Sequence, residues 1–353
     1  MIRAPATLVI ALAACSAPAL PADLAAAEDH QRAGQFDAAD RAYLAAQSSC
    51  KTIRDQRLRR DHCAEAHIRR AELLEDQDRQ AEAAAAYEAT PAALGGDQVP
   101  SAKALYRAGR LRLRLGEEAR GYDLLWKTIT DYPDVAYSND ALRVLLADGR
   151  RRNPRQLYGV LASLVESLEG AEIGDALLYA MADLAEHELA TPPVALQHYD
   201  RIAADFPQGG LRDEAWWHGA RLARSLGDPR GAAGRLRKLL ATREVAFGVG
   251  SYFSVWLDDA QLELGRVLRD DLGDVDGARA AFERLPRDYP ASILRDDALW
   301  ELAVTQQKAG RRDQACATLS RLRRDWPESR WELEQAPALR GQLGCDRAAE
   351  KAP

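Results

Sequence analysis

Apolar residues along this chain recur at spacings of three and four, and that pattern is itself repeated. Four stretches close on an acid, an aromatic and a proline: Asp131-Tyr132-Pro133, Asp205-Phe206-Pro207, Asp288-Tyr289-Pro290 and Asp325-Trp326-Pro327. Five residues before each proline stand Thr128, Ile202, Leu285 and Leu322; eight before stand Leu125, Tyr199, Phe282 and Leu319. Twelve before are the small residues Gly121, Ala195, Ala278 and Ala315, and seventeen before are Gly116, Ala190, Gly273 and Gly310. The last set falls where a reversal between two helices needs a small residue. After three of the prolines an acid and an alanine follow (Asp140-Ala141, Glu214-Ala215, Asp297-Ala298), which starts another helix. Two helices and a turn repeated every ~34 to 38 residues are the mark of a helical-hairpin solenoid.

Taken in order, the spacing predicts a first hairpin over 23–48 turning at 33–37, then a helix over 61–75 whose turn, Asp76-Gln77-Asp78, lacks glycine. Pro91, Gly95-Gly96 and Pro100 read as one loop, and Ser101 as the N-cap of the next helix. The pattern weakens over 137–190, with helices expected at 138–150, 154–168 and 173–189. It resumes at Ala195, with helices at 212–225, 229–240, 257–268, 275–285, 294–309 and 313–324, an insertion at 246–251, and a capping helix at 331–343. The segments are therefore a leader (1–14), a tether (15–22), N-terminal repeats (23–136), degenerate repeats (137–190), C-terminal repeats (191–332) and a cap with tail (333–353).

These residues resemble the tetratricopeptide repeat family, whose pattern falls in the last copy on Leu299, Leu302-Ala303, Gly310, Ala315, Leu319, Leu322 and Pro327. The resemblance implies an all-α, right-handed superhelical solenoid of antiparallel helix hairpins, with the inner helices lining a concave groove. Set against the family pattern, Trp216 takes a buried place and Trp217 a groove place, followed on the same face by Arg221 and Arg224; Trp300, Val304 and Gln307 take the same places in the last repeat. Trp256 also stands outside the core register. Aromatic and arginine side chains in such a groove suit an extended peptide or a carboxylate-bearing partner.

Charge narrows the partner. The chain has 48 basic and 54 acidic residues, interspersed for a net −6, so no sustained basic stripe points to nucleic acid. The run Arg150-Arg151-Arg152 reads as a basic helix C-terminus. No nucleophile elbow, zinc-protease motif or phosphate-binding loop is present, and His62 and His67 are too far apart in sequence to share a helix face as metal ligands. The expectation is a non-enzymatic chain without cofactor or metal.

Residues 1–14 read as a processing signal: Arg3, then the apolar run Leu8-Val9-Ile10-Ala11-Leu12, then Leu12-Ala13-Ala14-Cys15, a match to the lipobox of bacterial lipoprotein precursors. Cys15 is the expected lipid attachment site, and Ser16 after it favours the outer membrane, facing the periplasm. The competing reading is ordinary secretion with cleavage after Ala19 or Ala22, giving a soluble periplasmic or secreted protein. The other cysteines, Cys50, Cys63, Cys316 and Cys345, are even in number, which in an exported chain suggests disulfides. Distant repeats of a solenoid do not touch, which favours Cys50 with Cys63 and Cys316 with Cys345; four buried free thiols are the alternative. An exported repeat chain of this kind is similar to the lipoprotein subunit of the barrel assembly machine and to the periplasmic coordinator of the Tol-Pal system. That likeness implies a scaffold for an envelope protein, in outer-membrane assembly, secretion or cell-wall coordination. A regulatory or glycan-binding accessory module of a peptidoglycan enzyme is the second reading.

Overall fold

The computed structural model describes residues 22–243 and 254–345, and these residues form an all-α solenoid of antiparallel hairpins with no strand among them. The predicted insertion at 246–251 and Cys15 lie outside the described residues. The chain divides into two compact units, at residues 145 and 146. The first contains α1 (Ala22–Arg32), α2 (Phe36–Ser49), α3 (Gln56–Asp76), α4 (Gln80–Leu94), α5 (Gln98–Arg114) and α6 (Glu118–Asp131), with a tight turn, Cys50–Thr52, after α2. The boundary falls within α7 (Ala136–Arg152).

The second unit continues with α8 (Pro154–Ser167), α9 (Gly174–Asp183), α10 (Pro192–Asp205), α11 (Arg212–Ser225) and α12 (Pro229–Ala241). It ends with α13 (Leu257–Arg266), α14 (Val275–Asp288), α15 (Arg295–Lys308), α16 (Arg312–Asp325) and α17 (Ala336–Leu343). Widened π-helical turns extend α9 over Leu184–Glu188 and α13 over Val267–Asp271, and a third, Trp331–Gln335, leads into α17.

Each hairpin forms because its two helices carry narrow apolar stripes that meet. In α14 the buried side chains are Ala278, Ala281, Phe282 and Leu285, one face of a helix. Asp228 and Asp274 start α12 and α14 by accepting hydrogen bonds from Gly231 N (2.8 Å) and Gly277 N (2.9 Å), caps worth about 1 kcal/mol each. The reversal within a hairpin needs a left-handed residue, supplied by glycine at Gly116 (φ 78°) and Gly310 (φ 70°). Two turns manage without glycine: Asp78 (φ 57°) and Ala190 (φ 52°) adopt the same conformation.

Between the helices, small residues face large ones. Gly109 lies against Leu125, and Gly265 against the ring of the fully buried Phe282. From Gly109 to its turn glycine, Gly116, is seven residues, whereas from Gly265 to Gly273 is eight. The π-helical turn Val267–Asp271 takes up the extra residue without losing either contact.

Disulfides join Cys50 to Cys63 and Cys316 to Cys345, closing loops of 13 and 29 residues. By chain entropy these contribute roughly 3 to 4 kcal/mol each.

Two local expectations are corrected. Pro91 lies inside α4 and Pro100 in the first turn of α5, so the loop shrinks to the residues around Gly95-Gly96. A proline near a helix start removes an N–H that has no intrahelical partner, and so does not break it. Ser101 caps nothing: α5 begins at Gln98, and Ser101 is buried within it.

The interlock can be tested with two glycines. Gly265→Ala should destabilise the protein by about 1 to 3 kcal/mol, because the new methyl would lie 2.4 Å from the Phe282 ring. Gly234→Ala, in α12 with open space around it, should instead gain up to about 1 kcal/mol. Urea denaturation of the two variants should move the midpoint in opposite directions; a shift of the same sign in both would exclude the interlock.

Candidate partner-binding face

In the second unit α11, α13 and α15 are the first helices of successive hairpins, and ion pairs one hairpin apart hold them side by side. Arg224 reaches both Glu263 and Asp271 at 2.7 Å. Arg266 and Arg269 both meet Glu301, at 2.8 and 2.5 Å, and Asp270 accepts from Lys308 at 3.1 Å. Three of the participants, Arg269, Asp270 and Asp271, belong to the π-helical turn of α13, whose extra residue directs consecutive side chains toward both neighbouring hairpins. Burial alone would lower the Arg269 pKa, but its hydrogen bonds to Asp270 and Glu301 outweigh that and raise it. Asp270 is held far below the ordinary carboxylate range, first by its hydrogen bond from Arg269 and then by Lys308.

Two tryptophan pairs sit on these helices. Trp217 of α11 stacks on Trp256, just before α13, with ring centroids 5.5 Å apart and planes 17° apart. Trp300 of α15 stacks on Trp331, at the start of the last π-helical turn, at 5.4 Å and 9°. Asp297 accepts from Trp331 Nε1 at 3.0 Å, and Arg330 lies over the same ring at 4.4 Å.

The expected burial of Trp216 and Trp217 is reversed. Trp217 is only 9% exposed because Trp256 covers it. Trp216 is half-buried, with Lys238 Nζ over its ring at 4.6 Å. The family pattern places a residue within its own hairpin, but the cover comes from the residue that opens the next one. Trp256 stood out in the sequence and Trp331 did not; the missed signal was a tryptophan at or just ahead of the next first helix in both cases.

Of the remaining candidates, Arg221 is exposed, one helical turn beyond Trp217 with its guanidinium 5.8 Å from the ring centre, and among the described residues no carboxylate pairs with it. Arg224 is occupied by its two acids. Trp300, Val304 and Gln307 are half-buried along α15. Beside this group lies His218, stacked on Tyr199 at 5.9 Å, edge-on to Tyr179 and Trp256, and 3.8 Å from Glu214. Burial lowers the His218 pKa, opposed by Glu214 and reinforced by Arg221. Among the described residues no group of His, Cys, Asp or Glu is placed to hold a metal ion, and no helix is long and apolar enough to cross a membrane.

The tetratricopeptide repeat model matches residues 259–292 and 297–329, the α13/α14 and α15/α16 hairpins. These two hairpins are tetratricopeptide repeats. Stacked repeats of this kind present the side chains of their first helices as a protein-interaction surface. No curated protein matches the chain. Among solved structures, PilW, described as a widely conserved type IV pilus biogenesis factor, is 13% identical, with 76% of this chain and 96% of that one covered and a TM-score of 0.36. PilF of Pseudomonas aeruginosa is 14% identical, with 78% and 97% covered and a TM-score of 0.34. A human IFIT1 dimer with PPP-AAAA is 16% identical, with 90% and 81% covered and a TM-score of 0.39. At these scores the likenesses decide nothing about function.

This face yields a stability test and a pH test. Trp217→Ala should cost about 3 to 5 kcal/mol, the range for removing a buried aromatic. Trp216→Ala should cost less, and Arg221→Ala should stay within about 0.5 kcal/mol of the parent chain. A larger loss from Trp216→Ala in thermal or urea denaturation would contradict the burial order.

For His218 the sign follows from its lowered folded pKa: as pH falls below the ordinary histidine value of ~6.5, the unfolded chain takes up the proton first. Stability should therefore be level above that pH and decline below it, through the folded pKa of His218. His67 and His198, lowered by burial too, act in the same direction. Melting temperatures across this window should slope less in His218→Gln; an unchanged slope would remove His218 as a contributor.

Proposed function

We propose that this chain is a non-enzymatic scaffold of the bacterial cell envelope, anchored through a lipid on Cys15 in the outer membrane and facing the periplasm. Its α11, α13 and α15 face holds an extended segment of a protein partner. The observation that carries the reading is the contrast between Arg221 and its neighbours. Arg224, Arg266 and Arg269 are each neutralised by acids of an adjacent hairpin, while Arg221 stands exposed above the Trp217 ring without one. A guanidinium beside an aromatic surface offers a carboxylate two hydrogen bonds and offers an apolar side chain a flat contact, the combination that anchors peptides. Trp300, Val304 and Gln307 continue the same surface along α15. The export reading rests on the apolar run that ends at Leu12-Ala13-Ala14-Cys15 and on cysteine pairs that an oxidising compartment would keep closed.

Two variants separate the parts of this proposal. Arg221→Glu should leave melting near that of the parent and abolish co-purification of the partner captured by the parent chain from detergent-solubilised envelopes, with captured proteins identified by mass spectrometry. Capture of the same proteins by Arg221→Glu would move the binding face elsewhere. Cys15→Ser should shift the protein out of the membrane fraction in high salt; continued sedimentation with the outer membrane would end the anchor reading.

A further inference from the structure

The first unit carries a second surface that the partner-binding face does not explain. Between Cys50 and Cys63, five cations, Lys51, Arg54, Arg57, Arg59 and Arg60, stand within ten residues, with only Asp55 and Asp61 among them. All five are exposed, and among the described residues none of their side chains pairs with a carboxylate. The contrast within the unit is sharp: Arg70 is bound to Asp40, Lys103 to Glu72, Arg112 to Glu88 and Arg114 to Glu75.

The placement does not serve the fold. Arg57, Arg59 and Arg60 lie in the first two turns of α3, where the positive end of the helix dipole repels them. Asp55 is already engaged as the N-cap, accepting from Leu58 N at 2.8 Å. Leu58, 38% exposed, sits among the cations. A depression of about 450 Å³ is lined by Lys51, Arg59 and Arg60 together with Leu94, Gly95 and Asp97. The Cys50–Cys63 disulfide clamps both ends of the segment.

The start of α1 is fixed at the same place. Ser49 Oγ donates to the Asp23 carboxylate, and His62 Nε2 lies 3.5 Å from it. The first described helix therefore begins beside the cationic edge.

We propose that the 51–60 segment docks on an anionic lipid surface. Cations flanking an exposed apolar side chain match the boundary between headgroups and acyl chains. No aromatic side chain lies within the segment to stack a base, as single-stranded nucleic acid binding would need. Where the Cys15 anchor of the proposed function holds, only six residues separate Cys15 from Ala22, too few to carry this edge far from the bilayer. The lipid preference of the edge does not depend on that anchor.

The test is co-sedimentation of the full chain with vesicles of phosphatidylglycerol and phosphatidylethanolamine, or of phosphatidylcholine alone, at low and high salt. The comparison chain carries Arg54→Gln, Arg57→Gln, Arg59→Gln and Arg60→Gln with the same N-terminus, so the anchor contributes equally to both. The parent should prefer the anionic vesicles and lose that preference in high salt. The comparison chain should bind them on the order of several hundredfold more weakly, since each of the four cations near an anionic surface contributes about a factor of five. A chain with lysine at the same four positions should keep most of the binding, which separates charge from any loss of fold. Equal binding to both vesicle types, or undiminished binding by the glutamine variant, would overturn the proposal. So would tighter binding of the parent to duplex DNA or polyglutamate than to the anionic vesicles.

Discussion

A hairpin of two amphipathic helices buries only part of its apolar surface, and the remainder has to be covered by the next hairpin. Much of the tertiary structure follows from that requirement. Within the second unit, bonds that tie hairpins together span about one repeat: Arg235 to Asp200, Arg224 to Glu263, Ser292 to Asp258, Ser329 to Asp296 and Arg311 to Asp276. Stability in such an array is a sum of neighbour terms. A side chain that fits poorly at one junction therefore acts on that junction first. The pairs of small and large residues set how closely the helices approach. Gly265 lies so close to Phe282 that no larger residue fits beneath that ring.

The same constraint explains the π-helical turn of α13. An extra residue between Gly265 and Gly273 would move one of the two contacts off its partner in a regular helix. The wide turn keeps both and places the surplus on the first-helix side. There it brings Arg269, Asp270 and Asp271 together, and these three hold α11 on one side and α15 on the other. A feature forced by packing thus becomes the electrostatic joint of the face.

The helical pairing was legible in the sequence because it rests on recurring residue sizes at fixed offsets from Pro133, Pro207, Pro290 and Pro327. Proline was the misleading signal where it stood alone: Pro100 sits in the first turn of α5, where its missing N–H has no intrahelical partner, and Pro91 sits inside α4. The candidate face was only partly legible. Helical spacing put Trp217, Arg221 and Arg224 along one helix, but no spacing within a hairpin reveals that Trp256 covers Trp217 or that Glu263 and Asp271 occupy Arg224. Those are relations between hairpins, and the residue inserted before Gly273 breaks the register that would have exposed them. The cationic edge of α3 was missed for a different reason. With acids and bases interspersed over the whole chain, only the coordinates reveal which cations have partners.

That distinction carries more information than the net charge. Exposed ion pairs contribute about 0 to 1 kcal/mol, and more buried pairs repay little of their desolvation. The ladder through Arg224, Arg266, Arg269 and Glu301 is therefore better understood as fixing how adjacent hairpins align than as the source of their stability. Arg269 and Glu301, at 8% and 11% side-chain exposure, are costly to separate once formed, so the helices they join are held in one alignment. A surface held that way loses little conformational freedom when a partner arrives. An arginine that the ladder leaves out, such as Arg221, would on the proposed reading meet a ligand from a fixed position, which is why its lack of an acid matters more than its place in a sequence pattern.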